Sequence, residues 1–225
     1  MGDKQLQYSQ LVKNRKVCCL CAPDLVNPNE CEEGVFDQAE HIGAWSRWQG
    51  NLDASLMIIG QDWGGADFYV KYEGLGNDEN STNRSIRDLL KSIDISIELP
   101  QVGAMGSLFF TNSILCLRRS GLTGPTKSSW FKNCSKKFLL PQIELVASNV
   151  IATLGYKAYC SVMYAFGLPA KPKMENAVLE TIRLQNGSLL VPLYHPGRLG
   201  RVSRTFEDQK LDWQRVRSAL DGAFQ

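Results

Sequence analysis

Residues 58–65 read IIGQDWGG, and this stretch decides how the rest of the chain is understood. An apolar run stops against Gly64 and Gly65, and Gln61 and Asp62 stand at the junction, where side-chain cover is least. Glycine at such a point lets a ligand approach the backbone, because no Cβ intervenes. Residues 194–201, YHPGRLGR, have a related layout, an apolar run ending at His195, one of two histidines in the chain. The two segments raise the question of whether they meet around one ligand.

Working outward, four segments have the form of buried parallel strands, each a short apolar run followed by a turn signal. They are SLMIIG (55–60), SLFFTN (107–112), NVIATLG (149–155) and SLLVPLYHP (188–196). Helical patterns lie between and after them. NRSIRDLLKSI places Ile86, Leu89, Leu90 and Ile93 on one helical face, behind candidate caps at Ser81 to Asn83. KLDWQRVRSAL does the same with Trp213, Val216 and Leu220, and YKAYCSVMYAFG is stopped at Gly167. WFKNCSKKFLLPQIELV reads as helical too, with Pro141 kinking it or starting a new helix. Residues 65–83 read as a long Gly- and Asn-rich loop, and loops of that length in compact domains are functional or disordered.

Strands alternating with helices imply right-handed crossovers and a sheet covered on both faces. The expected fold is α/β, a three-layer α/β/α arrangement around a central, mostly parallel four-stranded sheet. It spans residues 1–225 as one domain, with a Cys-containing segment of about residues 1–50 packed on it. In an open parallel sheet the carboxyl ends of the strands share one edge, and ligands bind there. Asp62, Asn112 and His195 each fall at or just past such an end. Three residues remote in sequence are therefore expected to line one crevice.

Composition agrees with a single soluble domain: 225 residues, 44% hydrophobic and 21% charged. No run approaches the roughly 18 apolar residues of a membrane span. The polar start MGDKQLQYSQ resembles neither a secretion signal nor a myristoylation site. Seven cysteines in such a chain point to a reducing compartment and to metal or packing roles. The expected location is cytoplasmic and nucleoid-associated, or otherwise intracellular. A formal charge of +2 neither demands nor excludes nucleic acid. Arg198, Arg201 and Arg204 nevertheless punctuate the segment after His195, and Lys127, Lys132, Lys136 and Lys137 crowd another. Either group suits phosphate contacts or a solvated surface.

GQDWG near the first strand, TN ending the second and HPGRLG after the last resemble the three signatures of the uracil-DNA glycosylase superfamily. That family's first motif is G-Q-D-P-Y in one branch and G-E-A-P-G in an iron–sulfur branch; its last is H-P-S-P-L or a close relative. FFTNSILCLRRSG is similar to the iron–sulfur branch's strand-then-cysteine segment, and IELVASNVIATLGYKAY to its helix–strand–Gly stretch. The resemblance covers about residues 15–220 and is closest to the iron–sulfur branch, but with a G-Q-D first motif.

It implies a monomeric, monofunctional enzyme of base excision repair. Such an enzyme flips uracil out of DNA and hydrolyses its N-glycosidic bond, leaving an abasic site. Asp62 would hold a water and stabilise the sugar cation, as carboxylates do in glycoside hydrolysis. A neutral His195 would donate to uracil O2 as negative charge gathers on the departing base. Asn112 would donate to O4 and accept from N3–H, a pattern that cytosine reverses. Gly60, Gln61, Trp63 and Gly64 complete the base pocket, and Phe68, rather than Tyr69 or Tyr72, would stack on the base. Leu199 matches the family's apolar wedge, with Pro196, Gly197, Arg198 and Arg201 on the DNA beside it.

The chain also departs from the pattern. Gly64 stands where the G-Q-D-P-Y branch has a tyrosine that rejects thymine, Asp62 where the iron–sulfur branch has Ala, and Trp63 where both have proline. Excision of another deaminated base, hypoxanthine or xanthine, therefore stays open, as does a non-catalytic nucleic-acid-binding module on the same fold. A dinucleotide-binding enzyme is disfavoured, because no G-x-G-x-x-G follows a predicted strand.

Cys18-x-x-Cys21 has a spacing suited to iron–sulfur or zinc ligation. The resemblance implies one [4Fe–4S] cluster on Cys18, Cys21, Cys116 and Cys134. The alternatives are a local zinc site from Cys18, Cys21, Cys31 and His41, or inert thiols. Cys19 and Cys160 are spare in each case.

Overall fold

The structure is a computed structural model and describes residues 2–38, 40–77, 80–100, 106–119 and 124–223. Helix α1 (Asp3–Lys16) leads to β1 (Leu25–Val26), 3-10 turns within Pro28–Gly34 and α2 (Ala44–Trp48). Next come β2 (Leu56–Gly60), α3 (Ala66–Lys71), α4 (Ser81–Lys91), β3 (Phe109–Asn112) and β4 (Leu117–Arg118). Helix α5 (Ser128–Cys134) runs through a π-helical turn, Ser135–Leu139, into α6 (Leu140–Val146). The remainder is β5 (Val150–Leu154), α7 (Tyr156–Ala165), α8 (Met174–Ala177), β6 (Ile182–Arg183), β7 (Leu189–Leu193), α9 (Arg198–Ser203) and α10 (Phe206–Gly222).

The central sheet has the order β3-β2-β5-β7-β6. Its first four strands are the four predicted runs, and they pair in parallel. The sheet is five-stranded rather than four-stranded, because β6 adds an antiparallel edge beside β7. The three-layer expectation holds, and the strand sequences show why. Leu56 and Ile58 of β2 pack with Trp48, Ile86, Leu90, Trp213 and Val216 on one face. Met57 and Ile59, pointing the other way, pack with Tyr8, Val12, Phe138, Ile143 and Tyr159. The two-residue period sends alternate side chains to opposite faces, and both faces are covered, so the whole run must be apolar. Helices α2, α4 and α10 cover the first face; α1, α5–α6 and α7 cover the second.

Several local expectations need correction. The stretch 65–83 is not one loop: α3 forms within it and α4 starts at its end, while residues 78–79 lie outside the described residues. The cap of α4 is Asn80, whose side chain accepts from the Thr82 amide, one residue before the predicted caps. The expectation for Pro141 holds, by contrast: a new helix, α6, starts with Pro141 in its first turn, directly after the π-helical turn. Among the described residues, no helix is long and apolar enough to cross a membrane.

The cysteine-bearing N-terminal segment is joined to the rest by a second, two-stranded sheet. There Leu25 pairs with Arg118 and Val26 with Leu117, antiparallel. Arg15 of α1 is fully buried and makes a two-pronged ion pair with Asp37, at 2.7 and 2.6 Å.

Candidate active site

Because β2, β3, β5 and β7 are parallel, the segments that leave their carboxyl ends emerge on one edge. Gly60 pairs with Asn112 in register, and the Gly155 amide donates to the Leu193 carbonyl at 2.7 Å. The chain after β3 is then tied along the chain after β2. Ser113 N–H donates to Gly60 O at 2.8 Å, Ile114 N–H to Gln61 O at 3.0 Å, and Arg118 N–H to Gly64 O at 2.8 Å. These bonds fix the backbone of GQDWGG from Gly60 through Gly64.

A cavity of about 800 Å³ opens at this edge. Gln61, Asp62, Trp63, Phe68, His195, Gly197, Arg198 and Leu199 all line it, so the two quoted motifs do meet. Asp62 and His195 are close enough for the carboxylate to act electrostatically on the imidazole. Asn112, expected in the same crevice, is not among the residues that line it: it sits at the adjoining strand end, 5% exposed, with its Oδ1 buried and unpartnered among the described residues. A methyl group on Gly60 would meet that oxygen at 2.5 Å and the Trp45 ring at 2.6 Å, so only glycine fits beneath them. A buried acceptor without a partner is costly and calls for a ligand donor.

His195 is held in one tautomer. Its Nδ1 accepts from the Gly197 amide at 3.0 Å, which leaves the proton on Nε2 in the neutral ring. Burial pushes the imidazole below its usual value of 6.5, against a smaller upward pull from Asp62. Asp62 is held on both oxygens. Gln61 Nε2 donates to Oδ2 at 2.7 Å, and Arg118 Nη2 stands 3.4 Å from Oδ1.

Of the three candidate stacking aromatics, Phe68 alone lines the cavity. Tyr69 is buried beside Val26, Cys31 and Leu117, and Tyr72 packs against Phe68 with the rings tilted by 50° while accepting from Asn77 Nδ2. Leu199 is 85% exposed at the start of α9. Pro196 is buried behind the rim and Arg201 is exposed on α9, outside the cavity lining. Gly64 is buried with φ +126, a conformation that favours glycine. Arg204 turns away to close on Asp212 at 3.0 and 2.8 Å.

Sequence reading missed several lining residues: Trp45, Thr82, Asn83, Arg118, Tyr156 and Lys157. Some signal was available. Gly155 follows a strand and opens α7, and Asn80 to Asn83 begin α4, so both helices start at the rim, where their amides favour anions. Arg118 carried no such signal, because its place depends on a contact with Asp62 that only the fold creates.

The four cysteines singled out for a cluster, Cys18, Cys21, Cys116 and Cys134, line a second cavity, together with Cys19 and Arg15. Burial and the neighbouring thiols push Cys116 well up, and burial pushes Cys134 up to about 12. Among the described residues, no three His, Cys, Asp or Glu side chains close on a point that one metal ion could occupy. Cys31 is packed elsewhere, beside Tyr69 and Leu117, so the local zinc set of Cys18, Cys21, Cys31 and His41 is not assembled. A cubane makes a different demand, since each thiolate meets its own iron and the sulfurs stand apart.

Residues 48–217 match the family model of the uracil DNA glycosylase superfamily. With this fold and this strand-end site, the chain belongs to that superfamily. It is thereby a DNA glycosylase in class, a hydrolase of N-glycosyl bonds acting on DNA in repair.

Proposed function

We propose that the protein excises uracil from DNA as a monofunctional glycosylase and leaves an abasic site. The observation that carries the reading is that Asp62 and His195 line one cavity, with the unpartnered Asn112 Oδ1 at the strand end beside it. The flipped base enters the cavity with its N3–H donating to Asn112 Oδ1, while the Asn112 amide donates to O4. Phe68 stacks on the base. As the C1′–N1 bond breaks, its electron pair moves with the base and charge collects on O2, where His195 Nε2–H donates. A donor aimed at developing charge lowers the barrier more than it tightens ground-state binding. Asp62 stabilises the sugar cation and takes the proton from the water whose oxygen bonds to C1′. Leu199 fills the vacated stack, and Arg198, Arg201 and Lys157 contact backbone phosphates.

The Asn112 carboxamide rejects cytosine, whose edge reverses both polarities, whereas O6 and N1–H of hypoxanthine or xanthine present the same pattern as O4 and N3–H of uracil, so experiment separates these three bases. The protein acts as a monomer inside the cell. A panel of oligonucleotides, each with a single uracil, hypoxanthine or xanthine, or with none, tests this. Abasic product from the uracil strand alone is expected, and product only from a purine lesion rejects the assignment.

One [4Fe–4S] cluster on Cys18, Cys21, Cys116 and Cys134 is also proposed. The support is that four thiols from three separate segments line one small cavity. The group would supply cross-linking rather than redox chemistry, joining the N-terminal segment to the chain that follows Asn112. Thiols from all three segments would hold it, and none of the steps above passes through it.

A further inference from the structure

Arg118 is an arginine in the wall of the active-site cavity for which the reaction outlined above has no use. Its side chain is 7% exposed and that of Asp62 is 4% exposed, so the contact between them is a buried ion pair. Nη2 stands 3.4 Å from Asp62 Oδ1, Nη1 donates to the Gly124 carbonyl at 3.2 Å, and Nε is buried without a partner among the described residues. Its own amide meanwhile donates to Gly64 O, two residues beyond Asp62. Backbone and side chain of one residue thus grip the same short loop at two points.

Stability alone is a poor reason for this arrangement. Burying two charges carries a large desolvation cost before their attraction returns it, and apolar residues of similar volume often hold a structure as well. A carboxylate also rotates in a broad well about its last torsion. The hydrogen bond from Gln61 anchors Oδ2 and leaves Oδ1 free to swing. The guanidinium supplies the second anchor, and the two together fix the plane of the carboxylate at the cavity wall.

We propose that Arg118 is the positioning residue for Asp62: it fixes the carboxylate in the orientation that serves the water and the sugar cation, and it acts only through that carboxylate. The proposal rests on the reading of Asp62 given above.

A double-mutant cycle on the full-length protein tests it, using single-turnover excision from a uracil oligonucleotide with DNA affinity and thermal midpoint measured alongside. R118Q is expected to slow excision about 10- to 100-fold, the scale of a misplaced catalytic group, with little change in DNA affinity. R118K, which keeps the charge but not the fork, is expected to fall between R118Q and the native protein, and it carries the cycle if R118Q does not fold. Added to D62N, either substitution is expected to cost nothing further. Fully additive losses overturn the proposal, since Arg118 would then act independently of Asp62. A loss that appears chiefly in DNA affinity overturns it as well and makes Arg118 a phosphate contact. Full activity in D62N removes the role of Asp62 itself, and the proposal with it, whereas a slow D62N with additive Arg118 losses removes the proposal alone.

Discussion

The backbone amide of Gly197 donates a hydrogen bond to Nδ1 of His195 at 3.0 Å, and this one contact determines which imidazole nitrogen faces a ligand as a donor. Burial acts in the same direction by disfavouring the charged ring. The acid limb that His195 contributes to the rate should therefore lie below pH 6.5, its unperturbed value. A pH–rate profile under single-turnover conditions, compared between native protein and H195Q, checks this.

Folding should respond to the same shifts. His195 and His41 are both pushed below 6.5 by burial, so between the folded and unfolded values the unfolded chain binds more protons. Their contribution to stability is full above pH 6.5 and is lost as pH falls through the folded values. Urea unfolding midpoints from pH 8 down to pH 5 should decline, and H195Q should flatten part of that decline.

Gly60 lies under both Asn112 and Trp45, and a methyl group there would meet Asn112 Oδ1 at 2.5 Å. G60A should displace the asparagine and disable base recognition. We expect a loss of about 100-fold in kcat/KM, the scale of leaving one buried polar group unsatisfied. Retained secondary structure by circular dichroism would separate this effect from unfolding.

Leu199 is 85% exposed and supports no packing. L199A should leave the melting temperature unchanged and slow excision from duplex DNA more than from single strands, because only the duplex needs a wedge to hold the gap. Equal losses on both substrates would assign Leu199 another role.

Removal of the cluster is testable without an activity assay. Anaerobically purified native protein should contain iron and be coloured, and C116S or C134S should lose both the iron and the colour. A colourless, iron-free native protein rejects the cluster.

The four parallel strands were legible because strands buried on both faces must be continuously apolar, and LMIIG and VIATL have few other readings. The edge strand Ile182–Arg183 was not, since two residues paired on one side carry no periodicity. Helix α1 was missed for a related reason: in DKQLQYSQLVKNRK little beyond Tyr8, Leu11 and Val12 is apolar on the packed face, and tertiary contacts with Phe109 and its neighbours hold the helix. At the site, Asp62, Asn112 and His195 could be placed because topology alone gathers strand ends on one edge. Arg118 could not, because nothing in LCLRR says that the first arginine turns inward to a carboxylate while Arg119 stays exposed.

The most direct measurement of the central claim is single-turnover excision from a uracil oligonucleotide by native protein, D62N and H195A, scored as alkali-labile abasic sites, with DNA affinity measured in parallel. Native protein should generate abasic sites. Each variant should be slower by about 100-fold or more, the scale of removing one group that acts on transition-state charge, while binding DNA within about threefold of native, since neither group is asked to supply affinity. Native protein that binds the oligonucleotide and releases no base, or variants as fast as native, would contradict the account.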